Sequence, residues 1–101
     1  MEKVRVGLIG GAGIMGKMHS AAYTVLPAYF GKDGFYPERK VLCDMNGEMA
    51  ALKAADLGWE ESSSDWREVV RRDDIDLVDI VTPNVSHKEI VMAAIENGKK
   101  M

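Results

Sequence analysis

Gly11, Gly13 and Gly16 follow the apolar run Val4-Arg5-Val6-Gly7-Leu8-Ile9-Gly10 at a Gly-x-Gly-x-x-Gly spacing. Placed where a strand gives way to a helix, that spacing suits a phosphate. Gly11 permits the tight turn off the strand, Gly13 lets the backbone approach a pyrophosphate, and Gly16 lets the helix press against the sheet. Asp44 ends a second apolar run, Lys40-Val41-Leu42-Cys43, the position from which a carboxylate grips the hydroxyls of an adenosine ribose. Its distance from Gly16 exceeds the usual interval, so the first crossover carries an insertion. A third run, Leu77-Val78-Asp79-Ile80-Val81, leads into the polar turn Thr82-Pro83-Asn84. Open α/β sheets hold ligands at such carboxyl ends.

Other chemistries are poorly supplied. Cys43 lies inside an apolar strand and reads as a small core residue; one cysteine excludes an internal disulfide framework and fits a reduced, cytoplasmic compartment. His19 and His87 are too few and too far apart for a metal centre. A net charge of −3 over 101 residues argues against a nucleic-acid footprint, and Arg67, Arg71 and Arg72 are interleaved with acids as on a solvated helix face. No stretch is long and apolar enough to span a membrane. Lys3 and Arg5 before an apolar run, with Ser20-Ala21-Ala22 beyond, imitate a secretory leader, but the glycines within favour a turn.

The elements that must position these residues alternate between strand and helix, as in a parallel sheet covered on both faces. With 47% hydrophobic residues, the chain supports one domain over residues 1–101. The first helix is expected to open between Ala12 and Ile14, to bury Met15, Met18, Ala22 and Val25 on one face, and to stop at Pro27. Gly31 to Pro37 reads as the inserted surface loop. Asn46 caps a second helix that Gly58 terminates. A short strand is expected near Trp59 to Ser62, then a helix opened by the capping box Asp65-Trp66-Arg67-Glu68 and reaching about Arg72, with Trp66 as a packing residue. Asp76 to Val81 reads as a central strand buried on both faces. Ser86-His87-Lys88-Glu89 forms another capping box for a helix ending at Asn97-Gly98.

Taken together, Gly11-x-Gly13-x-x-Gly16-x-x-His19, Asp44, Asp65-Trp66-Arg67-Glu68, Ile75-Asp76-x-Val78-Asp79-Ile80-x-Thr82-Pro83-Asn84-x-x-His87 and Gly98-Lys99 resemble the glucose-fructose oxidoreductase and inositol dehydrogenase (Gfo/Idh/MocA) family over essentially the whole chain. The resemblance implies a Rossmann-type, doubly wound parallel sheet, partial here with strand order 3-2-1-4, without the substrate domain that follows in the family. It implies a pyridine-nucleotide oxidoreductase acting on sugars, cyclitols or related polyols. The loop Gly11 to Met15, including Ile14, would hold the pyrophosphate on backbone amides, and Asp44 the adenosine ribose. With no cation beside Asp44, NAD is favoured over NADP. Thr82, Pro83 and Asn84 would line the nicotinamide side; His87 reads equally as a residue of that region or as a plain cap-region residue, and His19 as structural.

Two departures qualify the resemblance. Gly10-Gly11-Ala12-Gly13 offers two registers, of which Gly11, Gly13 and Gly16 is preferred, with Gly10 finishing the strand. The family's Glu-Lys-Pro segment, whose lysine serves in catalysis, is not in the sequence, so no catalytic residue is assigned and this piece is expected to be inactive alone. An unpaired edge on the fourth strand would favour self-association. Two other classes fit the glycine loop: a non-catalytic dinucleotide module, and an S-adenosylmethionine methyltransferase, against which the Thr82-Pro83-Asn84 turn counts.

Overall fold

The computed structural model describes residues 2–30, 35–82 and 84–101, with the side chains of residues 2, 26–30, 35, 84 and 85 outside that description. Four parallel strands, β1 (Glu2–Ile9), β2 (Phe35–Cys43), β3 (Glu61–Ser63) and β4 (Leu77–Ile80), stand in the order β3-β2-β1-β4. Helices α1 (Ile14–Phe30), α2 (Gly47–Leu57), α3 (Trp66–Arg71) and α4 (Asn84–Glu96) alternate with them. Helices α1 and α2 contact one another, as do α3 and α4, which divides the helices between the two faces of the sheet.

Strand periodicity sends neighbouring residues into two cores. Val6, Leu8 and Leu42 pack with Ala50, Ala54 and Trp59 under α1 and α2; Ile9, Val41, Cys43 and Val78 pack with Val69, Ile75, Ile90 and Ala94 under α3 and α4. Gly7 belongs to the second face, where an added methyl carbon would lie 2.8 Å from Val69 Cγ1. The same alternation points Asp79 of β4 toward α1.

The caps act largely as expected. Asn46 accepts from the Met49 amide, Gly58 closes α2 at φ 76°, and Asp65 accepts from the Arg67 amide at the start of α3. Other expectations need correction. Helix α1 runs through Pro27 to Phe30; a proline this near the end removes one hydrogen bond without preventing three further residues from winding on. Strand β2 begins at Phe35 and includes buried Pro37, a proline tolerated because β3 pairs with β2 only from Val41 onward. Residues 31–34 of the expected loop lie outside the described residues. Ser86 lies inside α4, which opens at Asn84, so it is not a cap. Met15, Met18 and Val25 are exposed; the side of α1 toward the sheet carries Gly16, Ser20 and Tyr23 instead. Strand β4 pairs with β1 along one edge, and on its other edge Lys100 bridges to Leu77 and exchanges hydrogen bonds with Asp76 and Val78.

Candidate functional site

At the carboxyl ends of β1, β2 and β4 the glycines divide their work differently from the sequence expectation. Gly10, at φ 88°, makes the turn off β1. Gly11 is buried, and a methyl carbon there would fall 2.7 Å from Leu42 Cγ; one on Gly16 would fall 2.1 Å from the Gly11 carbonyl oxygen. Gly11 and Gly16 thus let the first turn of α1 rest on the loop itself. Around the Cβ position of Gly13 nothing lies within 4 Å, the open space that an approaching phosphate would need.

The loop amides are also divided. Those of Gly10 and Gly11 donate to the Cys43 carbonyl, and that of Ala12 donates to Asp44 Oδ2 at 3.2 Å. Gly11 therefore serves by its missing side chain, and its amide is committed. The amides of Gly13, Ile14 and Met15 have no hydrogen-bond partner among the described residues. They stand at the positive end of a 17-residue helix with no acidic residue in its first turn, where orphan amides and the macrodipole favour an anion.

Asp44 sits half-buried beside this loop. Its Oδ1 accepts from the Asn46 amide at 3.1 Å while Oδ2 accepts from Ala12, so two backbone donors fix the carboxylate and leave lone pairs for ligand hydroxyls. Among the described residues Asp44 makes no ion pair, and its neighbour Met45 is 89% exposed. The preceding Cys43 is inert as a nucleophile: burial, reinforced by the Asp44 charge, pushes its thiol up to about 12.

An apolar crevice of about 140 Å³ opens next to Asp44, between Met45, Trp66, Thr82 and Ile90. Thr82 Oγ1 is buried without a hydrogen-bond partner, an arrangement that costs free energy unless something completes it. Thr82 thus shares a crevice with Asp44. Pro83 lies outside the described residues, and of Asn84 only the backbone is described. His87 is exposed on the first turn of α4, while Ser86 of that turn and Ile90 of the next line the crevice. Among the described residues no group of acids, histidines and cysteine is arranged to hold a metal.

Beneath the loop lies a polar cluster that the sequence reading did not assign. Asp79 Oδ2 lies 2.6 Å from His19 Nδ1 and accepts from the Tyr23 hydroxyl at 2.6 Å. Ser20, buried between them in sequence, donates to the Gly16 carbonyl and accepts from Trp59 Nε1. Burial and the Asp79 carboxylate raise the Tyr23 hydroxyl far above its ordinary value, so it remains a donor. The available signal was an acid at an inward position of the apolar run Leu77-Val78-Asp79-Ile80-Val81.

A parallel sheet with order β3-β2-β1-β4, a glycine turn against a helix amino terminus and an acid ending β2 define a Rossmann-type nucleotide-binding unit. Residues 4–101 match the family described as "Oxidoreductase family, NAD-binding Rossmann fold", Gfo/Idh/MocA, and the chain belongs to that family. It is 50% identical over 99 residues to a levoglucosan dehydrogenase of Pseudarthrobacter phenanthrenivorans, covering 98% of this chain and 25% of the relative. It is 33% identical over 101 residues to a glycosyl hydrolase family 109 protein of Phocaeicola vulgatus, covering 98% of this chain and 19% of the relative. A solved levoglucosan dehydrogenase in complex with NADH and L-sorbose superposes with a TM-score of 0.93 at 49% identity, over 98% of this chain and 26% of that one. The chain thus spans about a fifth to about a quarter of the length of these relatives. Among the described residues no helix is long and apolar enough to cross a membrane.

Proposed function

We propose that this chain is the cofactor-binding part of an NAD-dependent dehydrogenase acting on a sugar, cyclitol or related polyol. The observation that carries the reading is the set of free amides at Gly13, Ile14 and Met15 over an open Cβ position, flanked by the fixed Asp44 carboxylate. A pyrophosphate would lie on those amides, and the ribose hydroxyls would donate to Asp44. The adjacent base would enter the crevice between Met45 and Thr82, where Thr82 Oγ1 gains a partner. This assigns Thr82 to the adenosine end. Asp44 would repel a 2′-phosphate, which favours NAD over NADP.

Residues 1–101 form the amino-terminal part of a dinucleotide-binding domain in this reading, and they bind and orient. Bound nicotinamide would supply the hydride acceptor, while any acid or base at the substrate would come from outside this sequence. The two named activities among the relatives support placing substrate choice outside this unit. Membership in an oxidoreductase family displaces the methyltransferase reading. Self-association of this piece is part of the same reading, and sedimentation at rising concentration tests it.

Calorimetric titration with NADH and NADPH tests the site. Saturable NADH binding, weaker NADPH binding, and loss of both in Gly13→Val are expected; a folded chain that binds neither contradicts the proposal.

A further inference from the structure

Helix α1 is held to the sheet in an unusual way for so apolar a segment. Of its described side chains, Gly16 and Ser20 are buried, while Ile14, Met15, Met18 and Val25 face outward. Neither buried residue contributes much apolar area. Tyr23 packs half-buried against the core under α1 and α2, and hydrogen bonds add to the grip: Trp59 Nε1 donates to Ser20 Oγ, and His19 and Tyr23 both meet a single oxygen of Asp79. His19 and Tyr23 stand four residues apart and so share one side of the helix. Asp79 is 15% exposed, and bonds to a charged, largely buried acceptor are among the stronger ones a protein makes.

Both elements that meet at Asp79 lead into the site. Helix α1 begins with the free amides of Ile14 and Met15, and β4 ends at Ile80, two residues before Thr82. We propose that Asp79 is a positioning residue for the cofactor: by binding His19 and Tyr23 it sets the height of α1 over the sheet, so that the helix amides and Thr82 can engage one ligand together. It touches no ligand itself. This inference rests on the dinucleotide reading of the site.

The close contact of Gly16 with the Gly11 carbonyl limits movement of α1 inward, and the Asp79 bonds limit movement outward. Removing the bonds frees only the outward direction. The expected result is a folded protein whose phosphate amides no longer sit at a fixed distance from Asp44 and Thr82.

The test measures NADH affinity in the whole chain and in His19→Leu, Tyr23→Phe and the double variant, well below the unfolding temperature of each. Tyr23→Phe keeps the ring that packs edge-on against Trp59. His19→Asn returns a donor near the Nδ1 position. Arg5→Gln, which breaks a surface ion pair with Asp76, controls for lost stability alone. The double variant should bind NADH about tenfold more weakly, the scale of lost bonds to a charged acceptor; His19→Asn should recover most of the His19→Leu loss, and Arg5→Gln should leave affinity unchanged. Faster hydrogen exchange at Gly16 to Ser20 in the double variant should accompany the weaker binding. Unchanged affinity in the folded double variant overturns the inference alone. No NADH binding by the unsubstituted chain overturns the proposed function and the inference with it.

Discussion

Gly16→Ala and Gly13→Ala add the same methyl group three residues apart, and the structure predicts opposite effects on stability. At Gly16 the methyl carbon would lie 2.1 Å from the Gly11 carbonyl oxygen and 2.4 Å from its carbonyl carbon. That is roughly 1 Å or more short of ordinary contact, and the obstructing atoms are backbone that no rotamer change can move. Lifting α1 by that amount stretches the 2.6 Å bonds from His19 and Tyr23 to Asp79 beyond hydrogen-bonding range. Overpacking of this kind costs about 1–3 kcal/mol, and the loss of charge-assisted bonds adds a similar amount. The better helix propensity of alanine offsets at most about 1 kcal/mol. A net loss of about 2–4 kcal/mol is a large part of the roughly 5–15 kcal/mol that stabilises a typical domain, and it should lower Tm by roughly 10–20 °C. At Gly13 the methyl meets nothing within 4 Å and the backbone is not left-handed. Restricting the unfolded chain there should stabilise by about 0.5 kcal/mol, while NADH binding falls. Urea and thermal unfolding followed by circular dichroism check both. Equal stability of Gly16→Ala and the parent chain would refute the close-approach argument.

Three further outcomes follow from the same geometry. Asp44→Ala should weaken NADH binding about tenfold or more through lost charge-assisted hydrogen bonds and narrow or reverse the preference over NADPH, as parallel titrations would show. Hydrogen bonds from Arg72 and Arg5 respectively hold the Asp74 and Asp76 carboxyls down to about 2, from an ordinary 3.8. Because these folded-state values are depressed, the stabilisation is present above about pH 4 and is lost as pH falls toward 2. Both side chains are more than a third exposed, so screening limits each to about 1 kcal/mol or less; acid titration of Asp76→Asn should show a correspondingly shallower decline. Cys43, buried with its thiol pushed up to about 12, should react with thiol reagents only when urea opens the chain, at a rate that tracks unfolding.

The features legible in the sequence were those with local causes. Asn46 and Gly58 delimit α2 because a side-chain acceptor and a left-handed closure act within a few residues. The glycine spacing and Asp44 point to the candidate site for the same reason. What was misread depended on contacts distant in the chain. The methionines of α1 have helical spacing, yet the sheet side is reserved for small and polar residues, since Gly16 must touch Gly11 and Asp79 needs donors. Pro37 looked like loop chemistry, but β3 does not reach that part of β2. The assignment of the turn to Gly11 failed by one residue because Gly10 and Gly11 are adjacent, and only their packing distinguishes them.

The central claim is that one dinucleotide lies across the carboxyl end of β1, from the α1 amides to the crevice beside Asp44. Amide-resolved NMR during an NADH titration tests this most directly. Saturable shifts are expected at Gly13, Ile14, Met15, Met45 and Thr82, absent in Gly13→Val. Shifts confined to the groove between α3 and α4, around Arg71 and Met92, or no shifts in a folded chain, would contradict it.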